Sequence, residues 1–270
     1  RTIGVETIAC APAALKAFLP AIDDPAIDAE LALDKRTFEI DKGLDPAIHR
    51  YSIQAGLAVR RWMEKNELNA FSVNFLNVDR RSALPTVPFL EACKTLARGQ
   101  GYAGEGDALT ASLVGALASV FPETTFTEMF CPDWKGGTIF LSHMGELNPN
   151  LIQGKPHLLS KPFPYTDTKQ PAQLVGCFKA GEAVFVNLAP GPDNQYTLAL
   201  APVRMLCPRG QAKLMDCVRG WMKPGLPIND FLAEYSRAGG THHAALVYGN
   251  VLARLTGFGK LMGWKTVTIQ

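Results

Sequence analysis

The sequence predicts an α/β protein in which part of a doubly wound α/β domain is followed by a C-terminal, mostly antiparallel, β-barrel-like domain with helices. Three observations lead to this prediction. The first half alternates helical segments with a strand, the second half is largely short apolar strands separated by turns, and 270 residues of 47% hydrophobic composition can form two cores. The change near Phe121 divides the chain into residues 1–121, a partial α/β domain, and residues 122–270, a β-rich domain.

Helix starts in the first half are marked by aspartates. A side-chain acceptor at the N-cap, followed by proline in the first turn, is typical of a helix N-terminus. The predicted elements are, in chain order, a short helical run at 14–21, helices starting at Asp24 and Asp45, a strand from Ala70 to Val78, a helix at 88–99 stopped by Gly99, and a helix at 107–121 capped by Asp107. Alternation of this kind favours a mostly parallel, doubly wound sheet.

The second half has the pattern of an antiparallel β structure. Its apolar runs are short and are separated by turn sequences such as PDWKGG, KAGE and PGPDNQ, which predicts a barrel or a sandwich. A last helix is predicted from about Thr241 to Leu261. The predicted strands are at 125–131, 137–144, 172–180, 182–190, 195–206 and 264–269.

Composition and charge argue against several classes of partner. The formal net charge is +2 and the Lys and Arg residues are scattered, so neither nucleic acid nor an anionic membrane surface is expected to bind. No apolar stretch reaches the roughly 18 residues needed to cross a bilayer. The six cysteines form no CxxC pair and are expected to be reduced thiols in a cytoplasmic protein. The chain opens RTIGVETIAC, without Met or a signal-peptide pattern, which suggests a fragment of a longer chain or a processed product.

A carboxylate and a histidine are predicted to face each other across the PDWKGG hairpin. If the turn is centred between the Lys and the first Gly of that sequence, Glu128 lies opposite His143, and Phe130 lies opposite Leu141. Directly opposed side chains begin about 5 Å apart at Cβ, so Glu128 and His143 could hold one metal ion. Two alternatives are a buried Glu–His ion pair and a pair of exposed residues at the rim.

A second carboxylate, Glu105, lies in the turn GYAGEGD just before a predicted helix. Gly104 and Gly106 flank it, and open α/β sheets usually bind ligands at turns of this kind. The turn lacks the GxxxxGK[ST] pattern of a phosphate-binding loop. The alternative is a solvated acidic residue in an ordinary turn.

Two of the five histidines, His242 and His243, are adjacent and follow a Gly-Gly-Thr turn. With Thr241 as N-cap, both fall on the first turn of the last predicted helix, where adjacent side chains point about 100° apart. They then cannot face one site equally, so one of them is expected to be the functional residue. A helix N-terminus favours the neutral imidazole that metal ligation requires. The alternative is two polar residues at a helix start, and His49 and His157 are expected to be structural.

Two glutamates and two histidines together form a mixed set of oxygen and nitrogen donors. Such a set suits Mn²⁺, Co²⁺, Mg²⁺ or Zn²⁺, with positions left open for a substrate. The four residues are far apart in the sequence, so their meeting at one site is a prediction about the fold.

Four segments around these residues resemble motifs of the L-arabinose isomerase family. GYAGEGDALTASL resembles the family's EGD-plus-helix segment, and TFTEMF resembles its Phe-x-Glu strand. LSHMGELNP resembles the His-Met-x-Glu strand, and AGGTHHAAL resembles the Gly-Gly-x-His-His turn. The motifs occur in the family's order and at approximately its spacing, and the likeness extends from about Asp24 to the end of the chain.

The resemblance implies a three-domain, homo-oligomeric sugar isomerase, of which this chain would be the later part of the middle α/β domain and the C-terminal β-rich domain, without the N-terminal domain. It also implies a divalent metal, typically Mn²⁺, held by Glu105, Glu128, His143 and His243. L-Fucose isomerases are similar at the last turn, where a lone histidine aligns with His243. His242 would then orient a neighbour or touch the sugar. FSVNFLN resembles a family strand that contributes a substrate-facing phenylalanine, here Phe75.

The implied reaction is aldose–ketose isomerisation of a pentose or 6-deoxyhexose, such as L-arabinose to L-ribulose, through an enediol. Moving a proton between C1 and C2 requires an acid/base group beside the metal, and Glu105 and Glu128 are the catalytic candidates. Met129, Phe130 and Cys131 replace acidic and aromatic residues of the family, which concerns the choice of sugar more than the class of reaction. The alternatives are a non-catalytic sugar-binding or regulatory relative and a metal-dependent hydrolase.

Overall fold

The computed structural model describes residues 3–207 and 216–270. Its α-helices are α1 (Pro25–Thr37), α2 (Pro46–Lys65), α3 (Phe89–Ala97), α4 (Ala108–Ala118), α5 (Ile228–Arg237) and α6 (Leu252–Leu261). Its strands are β1 (Glu39–Ile40), β2 (Ala70–Ser72), β3 (Gly101–Ala103), β4 (Thr124–Asp133), β5 (Thr138–Ser142), β6 (His157–Ser160), β7 (Ala172–Cys177), β8 (Gly181–Pro190), β9 (Tyr196–Leu206), β10 (Val218–Pro224), β11 (His243–Tyr248) and β12 (Lys265–Thr268). Over these ranges, no helix combines the length and apolarity needed to cross a membrane.

Aspartate caps begin three of the helices, as predicted. The side chains of Asp24 and Asp45 accept hydrogen bonds from backbone amides two residues further on, at 2.9 and 2.8 Å. Asp107 Oδ1 accepts a hydrogen bond from Thr110 N at 2.9 Å at the start of α4. Each bond satisfies an amide that the helix itself leaves unpaired, so the sequence signal and the local structure agree.

The α/β part is built around the parallel pair β2–β3. The strand predicted from Ala70 to Val78 is too long, because β2 ends at Ser72. The side chain of Asn74 then accepts a hydrogen bond from Leu76 N at 3.1 Å, and the chain turns into a short 3₁₀ helix. Side chain-to-backbone bonds of this kind compete with strand pairing, and apolar composition does not reveal them.

Six strands of the second part close into an antiparallel barrel. Around the ring the order is β10, β5, β4, β11, β8, β9 and back to β10, and every neighbouring pair is antiparallel. Closure leaves no free edge within the ring. β7 joins β10 and β12 joins β9, both in parallel, while β6 and β1 extend the sheet beyond β7. The predicted α/β class with a barrel-like second part is therefore confirmed.

Alternate residues of the barrel strands enter two different hydrophobic cores. Ala244 and Leu246 of β11 belong to one core, whereas Ala245 and Val247 belong to a second core that includes Val114 of α4. This division follows from the alternation of side chains along a strand. The second core attaches α4, and with it the turn between β3 and α4, to the barrel.

The helix predicted from Thr241 to Leu261 is wrong in its first half. The segment His243–Tyr248 is β11, which pairs with β4 on one side and β8 on the other, and α6 begins only at Leu252. Instead of capping a helix, Thr241 Oγ1 donates a hydrogen bond to His243 O at 3.2 Å. A strand buried on both faces has a continuous apolar sequence, which periodicity cannot distinguish from a helix. The sequence patterns also miss β1, β3, β6, β10 and α5.

Two of the six cysteines form a disulfide. Cys177 ends β7 and Cys207 follows β9, and both strands lie next to β10. Their Cα atoms are 6.1 Å apart, within the usual range for a disulfide. The expectation of six reduced thiols is wrong for this pair, because two strands far apart in sequence become neighbours of a third strand.

Gly101 on β3 provides a test of the packing between β3 and α4. A Cβ at this position would clash with Ala111 O and would lie 2.7 Å from Gly115 N, both in α4, so Gly101→Ala must push β3 and α4 apart. We expect a loss of about 1–3 kcal/mol in the free energy of unfolding, measured by urea denaturation. The matched control is Gly257→Ala in α6, where a Cβ meets nothing within 4 Å and should stabilise the helix by up to about 1 kcal/mol. Unchanged stability of Gly101→Ala would contradict this packing.

Candidate metal centre

Glu105 lies in the turn that joins β3 to α4. Its φ is +62° and that of Gly106 is +83°, and a left-handed φ is uncommon for a residue with a side chain. Local strain of this kind costs of order 1–3 kcal/mol and is found preferentially at functional sites. Asp107 caps α4 directly after the turn, while the Glu105 side chain remains 43% exposed. The turn therefore presents a carboxylate to solvent from a constrained backbone.

The hairpin between β4 and β5 contains a β-bulge that the sequence did not predict. Its turn is centred as expected, with Asp133 opposite Thr138. The register then shifts by one residue between Met129 and Cys131. A bulge adds one residue to one strand and leaves no signal in the alternation of apolar residues.

The bulge changes the partner of Glu128. Glu128 lies opposite Ser142, not His143, and Phe130 is not opposite Leu141. Both predicted cross-strand pairs are therefore wrong, because Phe130 is the extra residue of the bulge and Glu128 lies beyond it from the turn. His143 is the first residue after β5.

The histidine that faces Glu128 is His243. The two residues are directly opposite in the antiparallel pair β4–β11, so their side chains leave the same face with Cβ atoms about 4.5–5.5 Å apart. Phe126 lies two residues before Glu128 on the same face of β4. Its ring centroid is 5.1 Å from that of His243 and 4.9 Å from that of His143. Phe126 therefore packs against both imidazoles.

His143 is buried beside the turn that carries Glu105. A Cβ added at Gly104 would lie 2.7 Å from His143 Cε1, so the glycine makes room for the ring. Burial lowers the pKa of His143, but the charge and hydrogen bond of Glu146, together with the charges of Glu128 and Glu105, outweigh it and raise the pKa above its usual value. Both candidate carboxylates thus lie within electrostatic range of this ring.

His243 is buried, and one of its ring nitrogens has no partner. Nδ1 lies 3.0 Å from Asp107 Oδ2, whereas Nε2 makes no hydrogen bond to any described residue. Glu105 Oε2 is 3.8 Å from this Nε2, too far for a hydrogen bond. Burial raises the pKa of Asp107, but hydrogen bonds from His243 and Thr110 outweigh it and lower the pKa below its usual value. A buried nitrogen without a hydrogen-bond partner is accounted for by a water molecule or by an ion that takes its lone pair.

His242 is the exposed member of the pair. Its side chain is 57% exposed, against 3% for His243, and its Nε2 lies 4.0 Å from the same Glu105 oxygen. The two rings are 4.2 Å apart, and the His143 ring is 5.5 Å from that of His243. Since His243 begins β11 and His242 directly precedes it, the two residues do not lie on a helical turn, and their side chains are not related by the expected 100°. Burial, and not distance to Glu105, distinguishes the two histidines.

The donor atoms fit a divalent cation. Ligand atoms of Glu105, His242 and His243 lie within 4.8 Å of one another, the one such group found in the described ranges. Two donors bound at about 2.1 Å to one transition-metal ion are at most roughly 4.2 Å apart, and both Glu105–histidine distances fall within that limit. Glu128 and His143 adjoin this group, and their assignment as ligands stays a prediction.

Phe75, the predicted sugar contact, lies in the 3₁₀ helix after β2. Its ring is buried and packs against Phe163 at 5.3 Å and Tyr165 at 5.9 Å between centroids. Its role toward a substrate stays a prediction. His49 and His157 pair with carboxylates of other residues.

Sequence reasoning gave no site role to two acids beside the histidines. Asp107 was predicted only as a helix cap, and Glu146 was only the glutamate of the segment that resembles the family's His-Met-x-Glu strand. Glu146 Oε2 lies 2.7 Å from His143 Nδ1, and Tyr102 donates a hydrogen bond to Glu146 Oε1 at 2.7 Å. The spacing of three residues between His143 and Glu146 was a signal from which their contact could have been predicted. Asp107 and its partner on β11 are 136 residues apart, so no local signal predicts that contact.

Comparisons with known proteins agree with the fold and with the resemblance. The family model of the L-arabinose isomerase central domain matches residues 1–121, and that of the L-arabinose isomerase C-terminal domain matches residues 123–265. The L-arabinose isomerase 2 of Bacillus licheniformis is 27% identical over 262 residues, which cover 94% of this chain and 54% of that protein. The L-arabinose isomerase of Leuconostoc mesenteroides is 28% identical over 266 residues, with coverage of 95% and 55%.

A third relative, the L-arabinose isomerase of Levilactobacillus brevis, is 26% identical over 258 residues, with coverage of 92% and 54%. The chain thus spans about half the length of the curated relatives it matches. Two consecutive domain models together cover nearly all of it. The chain therefore belongs to the L-arabinose isomerase family.

Proposed function

We propose that the protein containing this chain is a divalent-metal-dependent aldose–ketose isomerase acting on a pentose or 6-deoxyhexose, with L-arabinose to L-ribulose as the reference reaction. Family membership supports the reaction class. The observation that carries metal dependence is the buried Nε2 of His243, which lacks a hydrogen-bond partner in the described part of the chain and lies 3.8 Å from Glu105. The family resemblance supports a further proposal, that the protein is a homo-oligomer. The cytoplasmic location expected from the cysteines also stays a proposal, and the Cys177–Cys207 disulfide counts against it because disulfides are rare in cytosolic proteins.

The proposed ligands of Mn²⁺, or of another divalent cation, are Glu105, Glu128, His143 and His243. Mixed oxygen and nitrogen donors suit such ions. The position of Glu128 directly opposite His243, and the 5.5 Å between the rings of His143 and His243, support this set. When bound, the cation supplies positive charge that polarises the sugar carbonyl and stabilises the enediolate.

Glu128 and Glu105 are the proposed acid/base groups. A carboxylate can take the proton from C2 of the sugar and return it to C1, by way of an enediol, while the proton of the C2 hydroxyl moves to the oxygen on C1. Acid–base catalysis of this kind contributes roughly 10²- to 10⁴-fold. Glu128 is half-buried on β4 beside the buried ring of Phe126, whereas Glu105 is 43% exposed. The better shielded Glu128 is therefore the stronger candidate for the proton transfer between C1 and C2.

His242 and Phe75 are the proposed sugar contacts. His242 is exposed beside Glu105, and its ring offers both a hydrogen-bond donor and an acceptor to sugar hydroxyls. Phe75 is proposed on the family resemblance, and its packing with Phe163 and Tyr165 would make it part of a rigid aromatic group.

Removal of metal should abolish the activity reversibly. We expect full-length protein treated with a chelator and dialysed to form no ketose from an aldose panel that includes L-arabinose and L-fucose. Added Mn²⁺ should restore ketose formation, because the histidine and carboxylate donors need the cation to act on the sugar. Ketose formation also separates an isomerase from a hydrolase and from a non-catalytic sugar-binding protein. Activity that is unchanged throughout the treatment would contradict metal dependence.

A further inference from the structure

Both buried histidines of the candidate site have Nδ1 directed at a carboxylate. Asp107 Oδ2 lies 3.0 Å from Nδ1 of His243, and Glu146 Oε2 lies 2.7 Å from Nδ1 of His143. An ionised carboxylate can only accept a hydrogen bond. Each neutral imidazole must therefore carry its proton on Nδ1, which leaves the lone pair on Nε2.

The two carboxylates are themselves held in place by second partners. The other oxygen of Asp107 accepts a hydrogen bond from Thr110 N at the start of α4. The other oxygen of Glu146, a fully buried residue, accepts one from the hydroxyl of Tyr102 at 2.7 Å. Neither carboxylate can therefore turn away from its histidine without breaking a second bond.

Asp107 and Tyr102, which orient the two histidines, lie in the same segment as Glu105. Tyr102 is on β3, Glu105 follows in the turn, and Asp107 begins α4. The segment 102–107 thus supplies one candidate ligand and, through Asp107 and Tyr102, the orientation of both histidines. Such an arrangement fixes the three groups relative to one another, although the histidines belong to the barrel.

We propose that Asp107 and Glu146 are positioning residues. Asp107 holds His243, and Glu146, which accepts a hydrogen bond from Tyr102, holds His143, each in the tautomer whose Nε2 is free to bind the cation. The inference rests on the proposed function and extends it to residues that do not touch the cation. Groups that orient a metal-binding histidine in this way typically change metal affinity by roughly 10- to 100-fold when replaced.

Asp107→Asn separates positioning from helix capping. The backbone amide of Thr110 can only donate a hydrogen bond, so the side-chain oxygen of the asparagine that replaces Asp107 must accept that bond to keep the cap. The side-chain NH₂ group of the same asparagine then faces His243. Nδ1 of His243 must in turn become an acceptor, which moves the ring proton to Nε2. We expect Mn²⁺ to bind roughly 10- to 100-fold more weakly, with thermal unfolding of the metal-free protein unchanged.

The matched control is Asp45→Asn, which alters the same kind of cap at the start of α2. It should change neither Mn²⁺ affinity nor thermal unfolding.

Glu146→Gln preserves the size of the side chain and is expected to weaken Mn²⁺ binding as Asp107→Asn does. If its buried amide prevents folding, Asp107→Asn still decides the proposal, because Asp107 lies at the edge of the site.

The tautomers can be measured without metal by ¹⁵N–¹H NMR of histidine-labelled full-length protein. We expect the Nδ1–H form for His243 in the metal-free protein and the Nε2–H form in Asp107→Asn. The inference would be overturned if the unchanged protein showed neutral imidazoles with the proton on Nε2. It would also be overturned if Asp107→Asn bound Mn²⁺ with an affinity within about threefold of that of the unchanged protein. Unchanged protein that neither bound Mn²⁺ nor formed ketose would overturn the proposed function as well, so the two failures are distinguishable.

Discussion

Replacing His243 with alanine is expected to weaken Mn²⁺ binding by at least about 100-fold, whereas replacing His242 should leave the metal bound. The expected loss exceeds the roughly 10- to 100-fold typical of residues that only orient a ligand, because His243→Ala removes a donor atom itself. The reason for choosing His243 is that its Nε2 is buried and lacks a partner among the residues described. His242 is largely exposed, so water can satisfy its ring when no sugar is present.

The two alanine variants serve as controls for each other. Both Nε2 atoms lie close to the same Glu105 oxygen, at 3.8 and 4.0 Å, so distance alone does not choose between them. A titration of each metal-free variant with Mn²⁺ measures the difference, and His242→Ala should instead alter KM or kcat. If His242→Ala loses the metal while His243→Ala keeps it, the assignment of the pair is reversed.

Local signals in the sequence predicted much of the fold. The caps at Asp24, Asp45 and Asp107 involve partners within three residues, so short-range chemistry determines them. The strands of the barrel alternate with clear turn sequences, which is why the antiparallel second part could be recognised. Elements whose secondary structure depends on residues far away in the sequence were harder to predict. β11 is an example, because its apolar run is a strand only through pairing with β4 and β8.

The sequence could name candidate residues for the site but could not give their geometry. The motif resemblance named Glu105, Glu128, His143 and the histidine pair. A single bulge places Glu128 opposite Ser142 instead of His143, and no property of the residues around Phe130 signals a bulge. The pairing of Glu128 with His243 comes from the other neighbour of β4, the strand β11, which the sequence patterns assigned to a helix. The contact between Asp107 and His243 depends on the packing of α4 against β11. The disulfide between Cys177 and Cys207 depends on β7 and β9 both lying next to β10.

The pairing of Glu128 with His243 gives the second large prediction. We expect Glu128→Gln to lower kcat by roughly 10²- to 10⁴-fold, because a neutral amide cannot take the proton from the sugar carbon. The amide has the size of the carboxylate and keeps one oxygen donor, so part of the Mn²⁺ affinity should remain. Turnover is therefore to be measured at a Mn²⁺ concentration that saturates the variant, with binding determined separately.

Glu123→Gln is the matched control for Glu128→Gln. Glu123 lies just before β4, is exposed, and pairs with Lys179 at the surface, where an ion pair contributes only about 0–1 kcal/mol. Glu123→Gln should leave kcat and Mn²⁺ affinity unchanged. Near-normal kcat for Glu128→Gln at saturating Mn²⁺ would exclude Glu128 as the acid/base group and would shift that role to Glu105. A loss of turnover fully explained by lost metal would make Glu128 a ligand without a part in proton transfer.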